Sequence, residues 1–186
     1  MNFEIDENGR LTSCLGDDVI VRIPEGVKKI GIFAFRGREH KHGRDWYIPN
    51  MTMEEVILPA SCEEIEDGAF SDCRTLRRIR FTGNTPKRIG GAFFRCDSLD
   101  KIDLPEGVTE IGADAFSNLK SLRDIVLPKS LKWLGPRAFL FTEVEHIYYR
   151  GTKEEFDAAD LEGGFNEANR DKVIYGYTLP LEAPAD

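Results

Sequence analysis

One short pairing, Ala followed by Phe, recurs at Ala69-Phe70, Ala92-Phe93, Ala115-Phe116 and Ala138-Phe139, each pair 23 residues after the last. A fixed period of this length marks one supersecondary unit stacked on itself, because a unit so short cannot bury its apolar side alone. The clearest copy runs from Leu99 to Leu122, LDKIDLPEGVTEIGADAFSNLKSL. Its apolar residues follow neither the helical period nor a sustained alternation. Ile102 and Leu104 sit two apart and share one face of an extended segment, while Lys101 and Asp103 share the other. Pro105 lacks an amide donor and ends that strand at a corner. Gly107 helps the chain reverse, and Val108 and Ile111 re-enter the interior. The return through Phe116 to Leu122 needs a third side, for which one or two helical turns are expected. Neighbouring coils then lie about 4.8 Å apart, the spacing of paired strands, and bury their apolar sides in one core.

The repeated pattern L-x-x-I-x-L-P-x-x-V-x-x-I-G-x-x-A-F-x-x-L/C resembles the BspA-type leucine-rich repeat of bacterial and some protist proteins, and the likeness covers nearly the whole chain. It departs from the commoner leucine-rich repeat, whose turn carries Asn where this chain has Gly26, Ser61, Gly107 and Ser130. Only Asn84 lies near that place, so an asparagine ladder is not what closes the turns. The resemblance implies a right-handed α/β solenoid with short parallel strands, and, in some members, adhesion or host-protein binding at a cell surface.

Along the chain, residues 1–18 read as an N-terminal cap. Phe3 and Ile5 alternate with polar residues and Asn8-Gly9 offers a hairpin turn. Residues 19–150 hold about five to six coils, interrupted by an insertion at 36–52 that a stacked core can place only in a loop. Coil three replaces the Leu-Pro corner with Phe81-Thr82-Gly83-Asn84-Thr85-Pro86. Residues 151–178 read as a C-terminal cap. Thr152 and Glu155 have capping-box spacing, so a helix is expected from Lys153 with Phe156 turned inward, and Val173 to Tyr175 should form a last strand. In the family likeness Phe156 stands where a Trp is usual. Residues 179–186 read as a tail rich in Pro, Ala and acid.

Composition removes several classes of function. With a net charge of -8 the chain lacks the basic stripe a sequence-independent hold on nucleic acid needs. No run of apolar residues is long enough for a transmembrane helix, and residues 1–17 do not read as a signal peptide. The chain as it stands therefore points to the cytoplasm, whereas the family likeness points to secretion or the cell surface. Cys14, Cys62, Cys73 and Cys96 form no C-x-x-C pair. Cys73 and Cys96 hold the same place in successive coils, either as reduced buried side chains or as a disulfide. His40-x-His42 with Asp45 is too little for a metal site, which needs three or four converging ligands. Glu63, Glu64, Glu66 and Asp67 read as a solvated edge rather than an acid and base pair. Neither catalytic nor metal-binding residues are assigned, and no cofactor is implied.

What remains is a surface for another protein. Parallel stacking sets Glu55, Arg78, Lys101, Asp124 and His146 in one outward column and Ile57, Arg80, Asp103, Val126 and Tyr148 in a second. In these columns Arg80 would pair with Asp103 and Lys101 with Asp124, and Ile57, Val126 and Tyr148 would face solvent. The insertion adds Arg36, Arg38, Lys41, Arg44, Trp46 and Tyr47, a basic and aromatic set in an acidic chain. These residues suit a non-catalytic protein-binding scaffold. The alternative is an adhesin-like, carbohydrate-binding or hydrolytic module.

Overall fold

Each inward Ile or Val of the pattern opens a coil with a short strand: Ile20–Arg22, Glu55–Leu58, Arg78–Phe81, Lys101–Asp103, Asp124–Leu127 and His146–Tyr149. The computed structural model describes residues 1–41, 44–48 and 50–179, with the side chains of 37–41, 44–47, 162 and 167 outside the description. These strands form the first side of a β-solenoid of about seven turns. They pair in parallel and in register, Val21 with Val56 and Ile79, then Ile102 with Ile125 and Ile147. Val173–Tyr175 closes the row beside Ile147–Tyr149.

The second side is built from two-residue strands, Lys29–Ile30, Glu64–Ile65, Arg88–Ile89, Glu110–Ile111 and Trp133–Leu134, each with its second residue buried. Ahead of them Arg10–Leu15 pairs in parallel with Lys29–Ile30 and antiparallel with Asn2–Ile5. The N-terminal hairpin is thus a cap that also continues the solenoid, with Leu11 in register with Ile30. This hairpin and the closing strand lengthen the array beyond the five to six coils expected from the sequence.

The third side differs from the expectation. Among the described residues, helix is confined to Lys153–Ala158, Glu167–Arg170 and a 3-10 turn at Glu162–Gly164, so the array is mostly strand rather than α/β. The reason is where the amides point. Phe70, Phe93 and Phe116 donate to the carbonyls of Ala92, Ala115 and Ala138 in the next coil at 2.9, 3.1 and 2.8 Å. Asp72, Arg95, Asp114 and Asn118 take left-handed φ values between 56° and 61°, and their amides donate to Phe94, Ser117, Pro136 and Leu140. A helix would need those amides for carbonyls four residues back. The third side instead becomes a third inter-coil ladder, and the Ala of each Ala-Phe pair is both its acceptor and a fully buried residue small enough to sit between coils.

The Phe that follows fills the centre. Phe35, Phe70, Phe93, Phe116 and Phe139 stack face to face with ring centroids 4.6, 5.2, 5.8 and 5.5 Å apart, and each ring is at most 1% exposed. Phe165 extends the stack at 5.5 Å and meets Phe156 of the first C-terminal helix at 5.7 Å. That helix begins at Lys153 under a complete Thr152/Glu155 capping box.

The corners are closed by hydroxyls. Ser61 donates to the Val27 carbonyl at 2.9 Å, Thr85 to Ala60 at 3.0 Å and Ser130 to Val108 at 2.7 Å, each bridging adjacent coils. Gly107 serves close approach, because a Cβ there would lie 1.2 Å from the carbonyl oxygen of Asn84 in the irregular third corner. Replacing Phe116 by Ala should lower stability in urea unfolding by about 3–5 kcal/mol, and Phe116→Leu by less. Equal, small losses for both would show that the ring stack does not carry the core.

Candidate functional site

The first side presents its outward residues in two columns, and the register sets Glu55 beside Arg78, Ile57 beside Arg80, Asp124 between Lys101 and His146, and Val126 between Asp103 and Tyr148. The hydrogen-bonded row is interrupted between Arg78–Phe81 and Lys101–Asp103, which belong to separate sheets. The extended third corner follows that strand, and across the gap Arg78 corresponds to Lys101 and Arg80 to Asp103.

The interruption gives the face two halves. In the first, the Glu55 carboxylate lies 2.6 Å from Arg80 Nε and 3.9 Å from Arg78 Nη1, two cations on one anion. In the second, Arg150 grips Asp103 at 2.9 and 3.3 Å, and His146 Nδ1 lies 2.8 Å from Asp124. His146 also stacks on Tyr148, whose ring meets Tyr177 at 4.3 Å. The ion pairs therefore reach different partners from those the columns suggested. The expected exposure of the apolar members also needs correction: Val126 is fully buried, while Ile57 and Tyr148 are half-buried. Arg150 and Tyr177 join the face from beyond the columns; residue spacing gives no sign of either.

The insertion is a two-stranded antiparallel hairpin rather than a loop, Gly37–Lys41 against Arg44–Ile48, with Arg38 opposite Tyr47 and Glu39 opposite Trp46. Arg36 turns to the third side, where its guanidinium pairs with Asp72 and covers the Phe33 ring at 4.9 Å. The side chains of Arg38, Lys41, Arg44, Trp46 and Tyr47, and residue His42, lie outside the described residues.

Residues 46–160 match the model of the BspA type leucine-rich repeat region in 6 copies. The chain belongs to the BspA-type leucine-rich repeat family. Among solved structures it is similar to a leucine-rich cell surface protein of Faecalibacterium prausnitzii A2-165, with 28% identity and a TM-score of 0.71 over 88% of this chain and 41% of that one. It is also similar to the leucine-rich repeat protein of T. pallidum, with 30% identity and a TM-score of 0.66 over 79% of this chain and 67% of that one. The chain thus spans about two fifths of the length of the first of these relatives. A search of curated proteins gave no match. No helix among the described residues is long and apolar enough to cross a membrane.

In this BspA-type array the second side carries a ladder of ion pairs. Arg10 binds Glu66 through two hydrogen bonds of 2.8 and 2.6 Å, and Glu64 lies 2.8 Å from both Lys29 and Arg88. The hydrogen bond from Lys29 holds the Glu64 carboxyl below its ordinary value of 4.5, and that from Arg10 does the same for Glu66. A depressed carboxyl adds stability above its unfolded pKa and gives it up as pH falls through the folded one. Stability should therefore decline as pH drops below about 4.5, and more steeply than in the Glu64→Gln/Glu66→Gln variant; parallel acid profiles would contradict these pairs.

All four cysteines are buried and free. Cys96 Sγ reaches the Phe70 carbonyl at 3.2 Å, as Thr142 Oγ1 reaches that of Phe116 at 2.7 Å, so both side chains satisfy the same place in the coil. Burial pushes Cys14 and Cys62 up to about 12, and Cys73 and Cys96 strongly upward. At pH 8 a water-soluble disulfide reagent should leave all four unmodified in the folded chain and titrate all four in denaturant. Rapid labelling of the native protein would contradict this placement.

Proposed function

We propose that this chain is a non-catalytic protein-binding scaffold, with the first-side face and the insertion hairpin as its binding surfaces. The observation that carries the reading is the division of labour in each coil. Every inward residue is committed to the core, while the outward columns Glu55, Arg78, Lys101, Asp124 and His146, and Ile57, Arg80, Asp103 and Tyr148, contribute little to it. A surface so decoupled from folding is free to be specified by a partner. Val126, being buried, serves as support for Tyr148 rather than as a contact.

The two halves of the face suit different parts of one partner. Arg78 and Arg80 around a single Glu55 favour an acidic segment, and the hairpin adds Arg38, Lys41 and Arg44 as a separate basic set. Tyr148, Tyr177 and Arg150 are residue types that dominate binding energy at protein interfaces. The F. prausnitzii relative, described as a cell surface protein, supports an adhesive role in which the partner is met outside the cell.

The test is affinity capture with immobilised chain and with two variants, Arg78→Glu/Arg80→Glu and a hairpin replaced by a short Gly-Ser turn. A protein retained by the wild type should be lost, or weakened at least tenfold, in one of the variants. Equal retention by all three would remove both surfaces from the account.

A further inference from the structure

Between the two-residue strands and the third side the coils leave a trough of about 1080 Å3. It extends from Ile32 and Phe33 in the first coil to Leu140 and Phe141 in the fifth, four strand spacings of ~4.8 Å or roughly 19 Å. Concave surface that combines aromatic rings with a few polar groups is where ligands bind.

The trough restricts what its ligand can be. Its floor amides are already used: Gly68 donates to the Gly91 carbonyl at 2.9 Å, Gly91 to the Asp67 carboxylate at 2.8 Å and Gly112 to the Ile89 carbonyl at 2.7 Å. A peptide therefore finds no strand edge to extend. Most of its charges are matched within the wall, Arg36 with Asp72, Arg88 with Glu64 and Glu110, and Arg137 with Asp114 through bonds of 3.0 and 2.7 Å, while Asp67 accepts the Gly91 amide. Paired charges of both signs give no net pull on a polyanion or a polycation. What is left is a set of ring faces beside carboxylates and guanidiniums held rigidly by one another.

Two aromatic residues break the polar columns they stand in. In the turn position two residues after the spine phenylalanine stand Asp72, Arg95 and Asn118, and then Phe141, at φ 56° and 73% exposed. Left-handed backbone suits Asn or Asp and disfavours a bulky ring, and a ring so exposed adds nothing to the core. In the outward position of the two-residue strands stand Lys29, Glu64, Arg88 and Glu110, and then Trp133. Both polar columns turn aromatic in the same coil, and both residues line the same trough.

We infer that the trough binds a linear neutral oligosaccharide, with Trp133 and Phe141 as stacking platforms and Arg88, Glu110, Asp114 and Arg137 as hydroxyl partners. A sugar ring offers an apolar C–H face to an aromatic side chain and a rim of donors and acceptors to paired charges. The rise of one coil is close to the length of one ring in an extended chain, so successive coils can serve successive sugars. This site is separate from the first-side face and does not depend on the protein-binding reading.

Titration calorimetry with linear hexasaccharides of β-1,4-glucan, β-1,4-xylan, β-1,4-mannan and α-1,4-glucan tests the inference. At least one should bind saturably, and Trp133→Ala and Phe141→Asn should each weaken it at least tenfold. Phe141→Asn should keep or raise the thermal midpoint, which separates lost binding from lost folding, and Arg80→Glu on the first side should bind as the wild type does. Absence of binding by all four sugars at millimolar concentration, unchanged affinity in both trough variants, or loss in Arg80→Glu would overturn it. Preferential binding of a sulfated or carboxylated chain would overturn the neutral assignment.

Discussion

The face-to-face stack of one phenylalanine per coil is the constraint from which the remaining structure follows. Rings held about 5 Å apart match the spacing of paired strands. The core and the backbone ladders can therefore share one translation along the axis. The small Ala before each ring lets the next coil approach closely enough for the amide of one Phe to reach the carbonyl of the following Ala. Stacking adds about 0.5–1.5 kcal/mol per pair beyond burial, and repetition makes the sum large.

Much of this was legible in the sequence because the period is strict. Four Ala-Phe pairs at constant spacing locate the spine, and inward residues two apart locate the first side. Thr152 with Glu155 locates the closing helix. The third side is an inter-coil ladder rather than helical, which spacing alone does not reveal, because it gives no sign of left-handed backbone at Asp72, Arg95, Asp114 and Asn118. Only Asp and Asn among these hint at it. The outward columns were legible as positions but less so as contacts. Arg150 lies 47 residues from Asp103 in sequence, and nothing in the spacing of either announces the pair. Val126 was expected in solvent because alternation assigns a direction to a side chain but not the neighbours that cover it.

The same economy shapes what the molecule can do. A solenoid commits its inward residues completely and leaves its outward ones nearly free, so departures from a column are informative where periodicity is not. Trp133 and Phe141 are such departures. The BspA-type family supplies the frame, and the residues that break its regularity supply the candidates for function.

Equilibrium unfolding of a chain lacking residues 100–122, one whole coil joining Leu99 to Arg123, tests the central claim most directly. If each coil is a self-sufficient step on the ring stack, the shortened chain should fold cooperatively with a native-like β spectrum, while loss of residues 100–110 alone should abolish folding. A whole-coil deletion that unfolds the protein as thoroughly as the partial one would contradict the account.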